Sequence, residues 1–87
     1  MLTVRSYPID DTLLLPKSST VLYCGEWQGS IHVYILCSPE EQETEEYEFK
    51  MVTTDRPFEN TGWWVYSGSV TILAPWHVFY RKKPLPS

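Results

Sequence analysis

The chain has 87 residues, 43% of them hydrophobic and 15% aromatic, and a net charge of −4. That length suits one small domain with little core to spare, and that composition excludes a disordered chain. No apolar run approaches the ~20 residues that span a bilayer, and Met1–Pro8 shows no basic-then-apolar leader, so the expectation is a cytoplasmic protein without a membrane segment.

Thr3-Val4-Arg5-Ser6-Tyr7 reads as a first strand ended by Pro8, and Thr12-Leu13-Leu14-Leu15 as a second, closed by Pro16. The clearest element is a hairpin from Thr20 to Cys37 around Trp27-Gln28-Gly29. Gly29 suits the left-handed position of a three-residue bulged loop, which sets Tyr23 opposite Val33 and Val21 opposite Ile35. One face is then Val21, Tyr23, Ile31, Val33 and Ile35, assigned to the core. The other is mixed: Leu22, Cys24, Glu26, His32, Tyr34 and Leu36. A two-residue Gln28-Gly29 turn would instead bring Cys24 opposite Val33, but Gln-Gly is a poorer turn pair than Asn-Gly. Neither register opposes Cys24 to Cys37, so no disulfide is expected.

Ser38-Pro39 breaks the strand, and a glutamate-rich connection follows. Tyr47, Phe49 and Met51 alternate with Glu46, Glu48 and Lys50, the period of a half-buried strand. Thr54 to Gly62 is a long polar loop, and Trp63–Tyr66, Ser69–Leu73 and Trp76–Arg81 are the last strand candidates. The fold class is therefore all-β, a small antiparallel barrel or sandwich of about six to seven short strands. Residues 1–83 form a single β domain and 84–87 a frayed tail.

Six of the eleven acids (Glu40, Glu41, Glu43, Glu45, Glu46 and Glu48) fall in one segment, and the other five face seven bases, a remainder of about +2. The segment is read as a solvated loop that is able to dock on a basic surface. Arg81-Lys82-Lys83 near Trp76 and Tyr80 has the composition of a single-strand binder, but three terminal charges neutralise few phosphates, so nucleic acid is not expected as a partner. Cys24 and His32 share the mixed face, yet no third group orients them, and no catalytic residue is assigned. Cys24, His32, Cys37 and His77 lack the close spacing of a zinc site, so neither metal nor cofactor is expected.

The aromatic surplus is the strongest signal. If Trp63 and Val65 face inward, Trp64 and Tyr66 face outward; Trp76, Val78 and Tyr80 likewise oppose His77, Phe79 and Arg81. A domain of this size covers one face of each strand, so large rings are left for an interface. Trp64, Tyr66, Trp76 and Tyr34 are the aromatic interface candidates, and Glu40, Glu41, Glu43, Glu45 and Glu46 the acidic ones.

The order and spacing of several short motifs resemble a family of small proteins of unknown function, met mainly in bacteriophage genomes and actinobacteria. They are Tyr7 with the acids after it, Leu13-x-Leu15-Pro16, Val21-Leu22, Gln28-Gly29, Tyr34-x-Leu36 with Ser38-Pro39, Phe49, Pro57, Trp64-Val65 and the closing His77-Val78-Phe79. Where that family tends to carry Gly-Thr-Gly-His, this chain has Thr53-Thr54-Asp55-Arg56. The resemblance implies a β-rich, phage-type accessory protein and no reaction.

Taken together, the expectation is a non-enzymatic protein that binds a host protein with a basic surface, such as a defence nuclease or the transcription machinery. It would inhibit or modulate that protein by occlusion. Self-association through the mixed hairpin face or an edge strand, giving a homodimer, accompanies this. The alternatives are a structural protein that self-associates, or a module that sequesters a nucleotide signal, its base on a tryptophan and its phosphate on Arg56 or Lys50.

Overall fold

The computed structural model describes residues 1–58 and 64–83; Trp63 and the 84–87 tail lie outside the described residues. Seven strands form: β1 (Thr3–Pro8), β2 (Thr12–Pro16), β3 (Thr20–Trp27), β4 (Ser30–Cys37), β5 (Thr44–Thr53), β6 (Val65–Thr71) and β7 (Pro75–Lys82). They make two antiparallel sheets, a three-stranded one in the order β1-β4-β3 and a four-stranded one in the order β2-β5-β7-β6. Among the described residues no strand pairing joins the sheets, so the architecture is a sandwich, not a closed barrel.

β1 and β2 are one extended run bent between the layers. Ile9 N still donates to Ile31 O in the first sheet (3.0 Å), whereas Asp11 O already accepts from Phe49 N in the second (2.9 Å). Pro8 ends β1 on a sheet edge, where its missing N–H costs no ladder bond.

The β3–β4 hairpin departs from the preferred register. Trp27 pairs with Ser30 across a two-residue turn, and Gln28 (φ 51°) and Gly29 (φ 82°) are both left-handed. That is the primed turn whose twist matches the strands, and Glu26 Oε1 accepts from Gly29 N at 2.8 Å to hold it. Cys24 therefore opposes Val33. A bulge at Leu22 then restores Val21 opposite Ile35. The same turn register moves Tyr23 out of the expected core face: it is 52% exposed and lies across from Tyr34.

A second bulge separates Tyr66 from Gly68 within β6. The sequence reading placed a strand break at Ser67-Gly68, but the chain continues through it. Ser67 is buried, and its hydroxyl donates to Val78 O (3.1 Å) and so accepts from the Cys24 thiol (3.1 Å). Here β6 lies directly on β3. The core between the sheets is Leu15, Cys24, Val33, Ile35, Cys37, Tyr47, Phe49 and Val78, with Tyr7, Ile9, Leu13, Val21, Ile31 and Tyr80 packed around it.

Candidate functional site

The inner layer holds packing groups. Cys24 faces the core while His32, opposite Gly25 and Pro8, faces away, so the register separates this pair instead of joining it on one face. Cys24 and Cys37 are both free and buried, on the core side of the hairpin. No group of ligating side chains suited to a metal ion occurs among the described residues. Burial pushes the Cys24 thiol above its usual range, and the hydrogen bond to Ser67 offsets this only in part. Native protein at pH 8 is therefore expected to react slowly with a thiol reagent, releasing both equivalents only in urea. Rapid labelling of one thiol without denaturant would contradict this burial.

The acidic segment divides between a turn and a strand. Glu40 and Glu41 are exposed in the β4–β5 turn, where Glu41 Oε1 accepts from Glu43 N. The remaining four acids are paired within the chain. Glu43 meets Lys17 at 3.3 Å, Glu45 meets Lys82 at 2.8 Å, Glu46 meets Lys83 at 2.7 Å and Glu48 meets Arg81 at 3.2 Å. The hydrogen bonds to Glu45 and Glu46 raise the pKa of Lys82 and Lys83. The acidic and basic segments are thus the two sides of one β5–β7 ladder, so most of the segment is not free to act as a docking loop.

The outer face of the four-stranded sheet collects the aromatic candidates. Strand alternation and register put Tyr66, Phe79, His77 and Lys50 there, and Trp64 and Phe58 lie against them from the flanking chain. The Lys50 ammonium stands 4.9 Å from the Trp64 ring and 5.5 Å from the Phe58 ring, within cation–π range of both. The Arg81 guanidinium lies 4.3 Å from Trp64 while its Nε holds Glu48. Phe79 is flanked by Phe58 at 5.0 Å and by the edge of Tyr66 at 5.6 Å.

Beside these rings runs a chain of hydroxyls around one imidazole. Thr54 Oγ1 is 2.8 Å from His77 Nε2, Ser69 Oγ is 2.7 Å from His77 Nδ1, and Tyr66 OH is 2.5 Å from Ser69 Oγ. A Ser-His pair acts as a nucleophile when an acid orients the far ring nitrogen. Here that nitrogen meets the hydroxyl of Thr54, so the arrangement fixes the face and does not prime a hydroxyl.

Trp76 belongs elsewhere. It stands on the core side of β7, half-buried, and its indole N–H donates to Ile72 O at 3.1 Å, clamping the β6–β7 turn. Tyr34 lies on the outer face of the three-stranded sheet, stacked on Tyr23 with ring centroids 4.7 Å apart and planes 13° from parallel. Alternation in the sequence was enough to send Trp64 and Tyr66 to one face. Lys50, Phe58 and Phe79 were not recognisable as their neighbours, because that requires knowing that β7 lies between β5 and β6.

No helix among the described residues is long and apolar enough to cross a membrane. A family model described as a domain of unknown function (DUF7352) matches residues 1–87. No curated protein and no solved structure matches the chain.

Proposed function

We propose, for a chain that belongs to the DUF7352 family of unknown function, that it is a non-enzymatic binding protein whose working surface is the outer face of β5, β7 and β6. One observation carries this reading. Trp64, Tyr66, Lys50 and Arg81 are residue types that dominate binding energy or fix charge at interfaces; on this sheet face Lys50 and Arg81 hold Trp64, and Phe79 holds Tyr66. Side chains ordered before binding lose little entropy on docking. The finer reading is a phage-type accessory protein, acting in the cytoplasm of its host, that occludes a host protein such as a defence nuclease or the transcription machinery.

The partner's chemistry differs from the expectation of a basic surface. Four of the six clustered glutamates are already neutralised within the chain, whereas Lys50 has no carboxylate partner among the described residues. The favoured partner presents a carboxylate among apolar groups. Capture from host lysate at low and high salt, read by mass spectrometry, tests this. One specific partner should be retained by wild type and weakened about 30-fold or more by Tyr66→Ala, a hot-spot loss at an exposed site that leaves the core alone. Absence of a specific partner at either salt, or its full retention by Tyr66→Ala and Trp64→Ala, overturns the reading.

The Lys50 ammonium between two rings also favours a second reading, a nucleotide signal stacked on this face with its phosphate on Lys50. In that case a nucleotide panel should change tryptophan fluorescence, and Lys50→Met should abolish the change.

A further inference from the structure

The opposite face of the molecule has a different composition. On the outer side of the three-stranded sheet, register and alternation place Val4, Ser6 and Pro8 of β1, the even-numbered residues of β4 from Ser30 to Leu36, and Thr20, Tyr23, Gly25 and Trp27 of β3. None of these eleven positions carries Lys, Arg, Asp or Glu, although such residues make up 21% of the chain. Val4, Tyr23 and Trp27 are each more than half exposed, and the bulged Leu22 adds to them. The outer face of an antiparallel sheet left in water is ordinarily polar.

The tight Gln28-Gly29 turn is what removes the charge. In the expected register Cys24 and Glu26 would stand on this side; the two-residue turn directs them inward and brings Tyr23 and Trp27 out, and the bulge at Leu22 then returns Val21 to the core side. The Tyr23 and Tyr34 rings also lean over Gly25, where a Cβ would lie 3.4 Å and 3.5 Å from them, so the aromatic pair forms a continuous plate.

We propose that this face is the interface of a homodimer, covered by the same face of a second copy. The argument is one of charge. A partner that buries a charged group here meets nothing to pair it, and an unpaired buried charge is strongly unfavourable. This disfavours phosphate-bearing surfaces and the mixed surfaces typical of transient partners. Homodimer interfaces are the class richest in apolar area and poorest in charge. A second copy presents an equally charge-free sheet, and two-fold pairing brings aromatic residues of one plate onto those of the other. The Lys50–Trp64 face lies on the other side of the sandwich and stays open in such a dimer, so the two surfaces act independently.

Sedimentation velocity on the full chain over about 1 to 500 µM tests the proposal. The expected species has twice the 10.2 kDa chain mass. Trp27→Lys and, at the far strand, Val4→Lys should each weaken the dimer about 100-fold or more, while Tyr66→Lys on the opposite face leaves it intact. Two sites on different strands guard against a local folding defect, and circular dichroism confirms each variant is folded. A monomer throughout the range overturns the proposal, including a monomer that adsorbs to neutral vesicles, which would make the face a lipid contact. A dimer undiminished in both variants overturns it too. Failure to capture any specific partner, with the dimer retained, would overturn the proposed function alone.

Discussion

Gly68→Ala is expected to destabilise the protein by roughly 3 kcal/mol, combining a clash with a backbone conformation that alanine resists. Gly68 sits at the β6 bulge with φ +150°, and a Cβ there would stand 3.1 Å from Cys24 O and 3.2 Å from Cys24 N. Both contacts are backbone atoms of β3, a strand fixed on its other side by β4, so neither swings aside as a side-chain tip would. A chain of this length has about 4–13 kcal/mol of total stability, so the loss is a large share of it. Gly29→Ala provides the comparison. Gly29 is also left-handed (φ +82°) but has nothing within 4 Å of its would-be Cβ, so only the backbone cost of about 1 kcal/mol applies. Urea unfolding of both variants separates the cases. Equal losses would mean that β6 does not rest on β3 as described.

The same junction shows where sequence reasoning stops. The all-β class, the short strands and the outward direction of Trp64 and Tyr66 were legible, because each follows from alternation and turn residues within one segment. The bulges at Leu22 and Ser67 were not. A bulge adds one residue without changing composition, and its cause lies across the sandwich, in Ser67 bonding Cys24 and Val78 and in Gly68 meeting the Cys24 backbone. The two-residue Gln28-Gly29 turn had already exchanged Tyr23 for Cys24 in the core and taken Glu26 off the outer face, and the Leu22 bulge returned Val21 to the core. The acidic segment was misread for a related reason. Its pairing with Arg81, Lys82 and Lys83 depends on β7 lying beside β5, a neighbour relation that no local pattern encodes.

The two outer faces also carry different functional weight. One mixes rings, cations and hydroxyls, a composition that suits a separable partner and tolerates time in water. The other lacks any charge and is costly to leave exposed in a small protein. The two proposals together give a division of labour, in which one face would build a permanent unit and the other would present a binding surface twice per unit. Two such surfaces on a dimer raise the apparent affinity for any partner that is itself dimeric or repeated, without a new contact.

Leu15→Ala should cost about 2–5 kcal/mol, whereas Leu14→Ala should change stability by less than about 0.5 kcal/mol. The three consecutive leucines of β2 are indistinguishable by composition, and only the pairing decides their fates. Leu13 and Leu15 stand opposite Tyr47 and Glu45 on the core side, and Leu14 opposite Glu46 on the outer side. Leu15 is fully buried in the core cluster, while Leu14 is 62% exposed. Truncating Leu15 therefore leaves a cavity at a point where the layers cannot easily close it. The next residue, Pro16, is buried, and its carbonyl accepts from Ser19 N and Ser19 Oγ in the turn that carries the chain back to the first sheet. Chemical denaturation of the two variants gives a direct reading of register, because a slip of one residue moves every side chain of β2 to the other face. A larger loss at Leu14 than at Leu15 would show that β2 pairs one residue away from its place here, and would put the Leu15 side of the core in solvent.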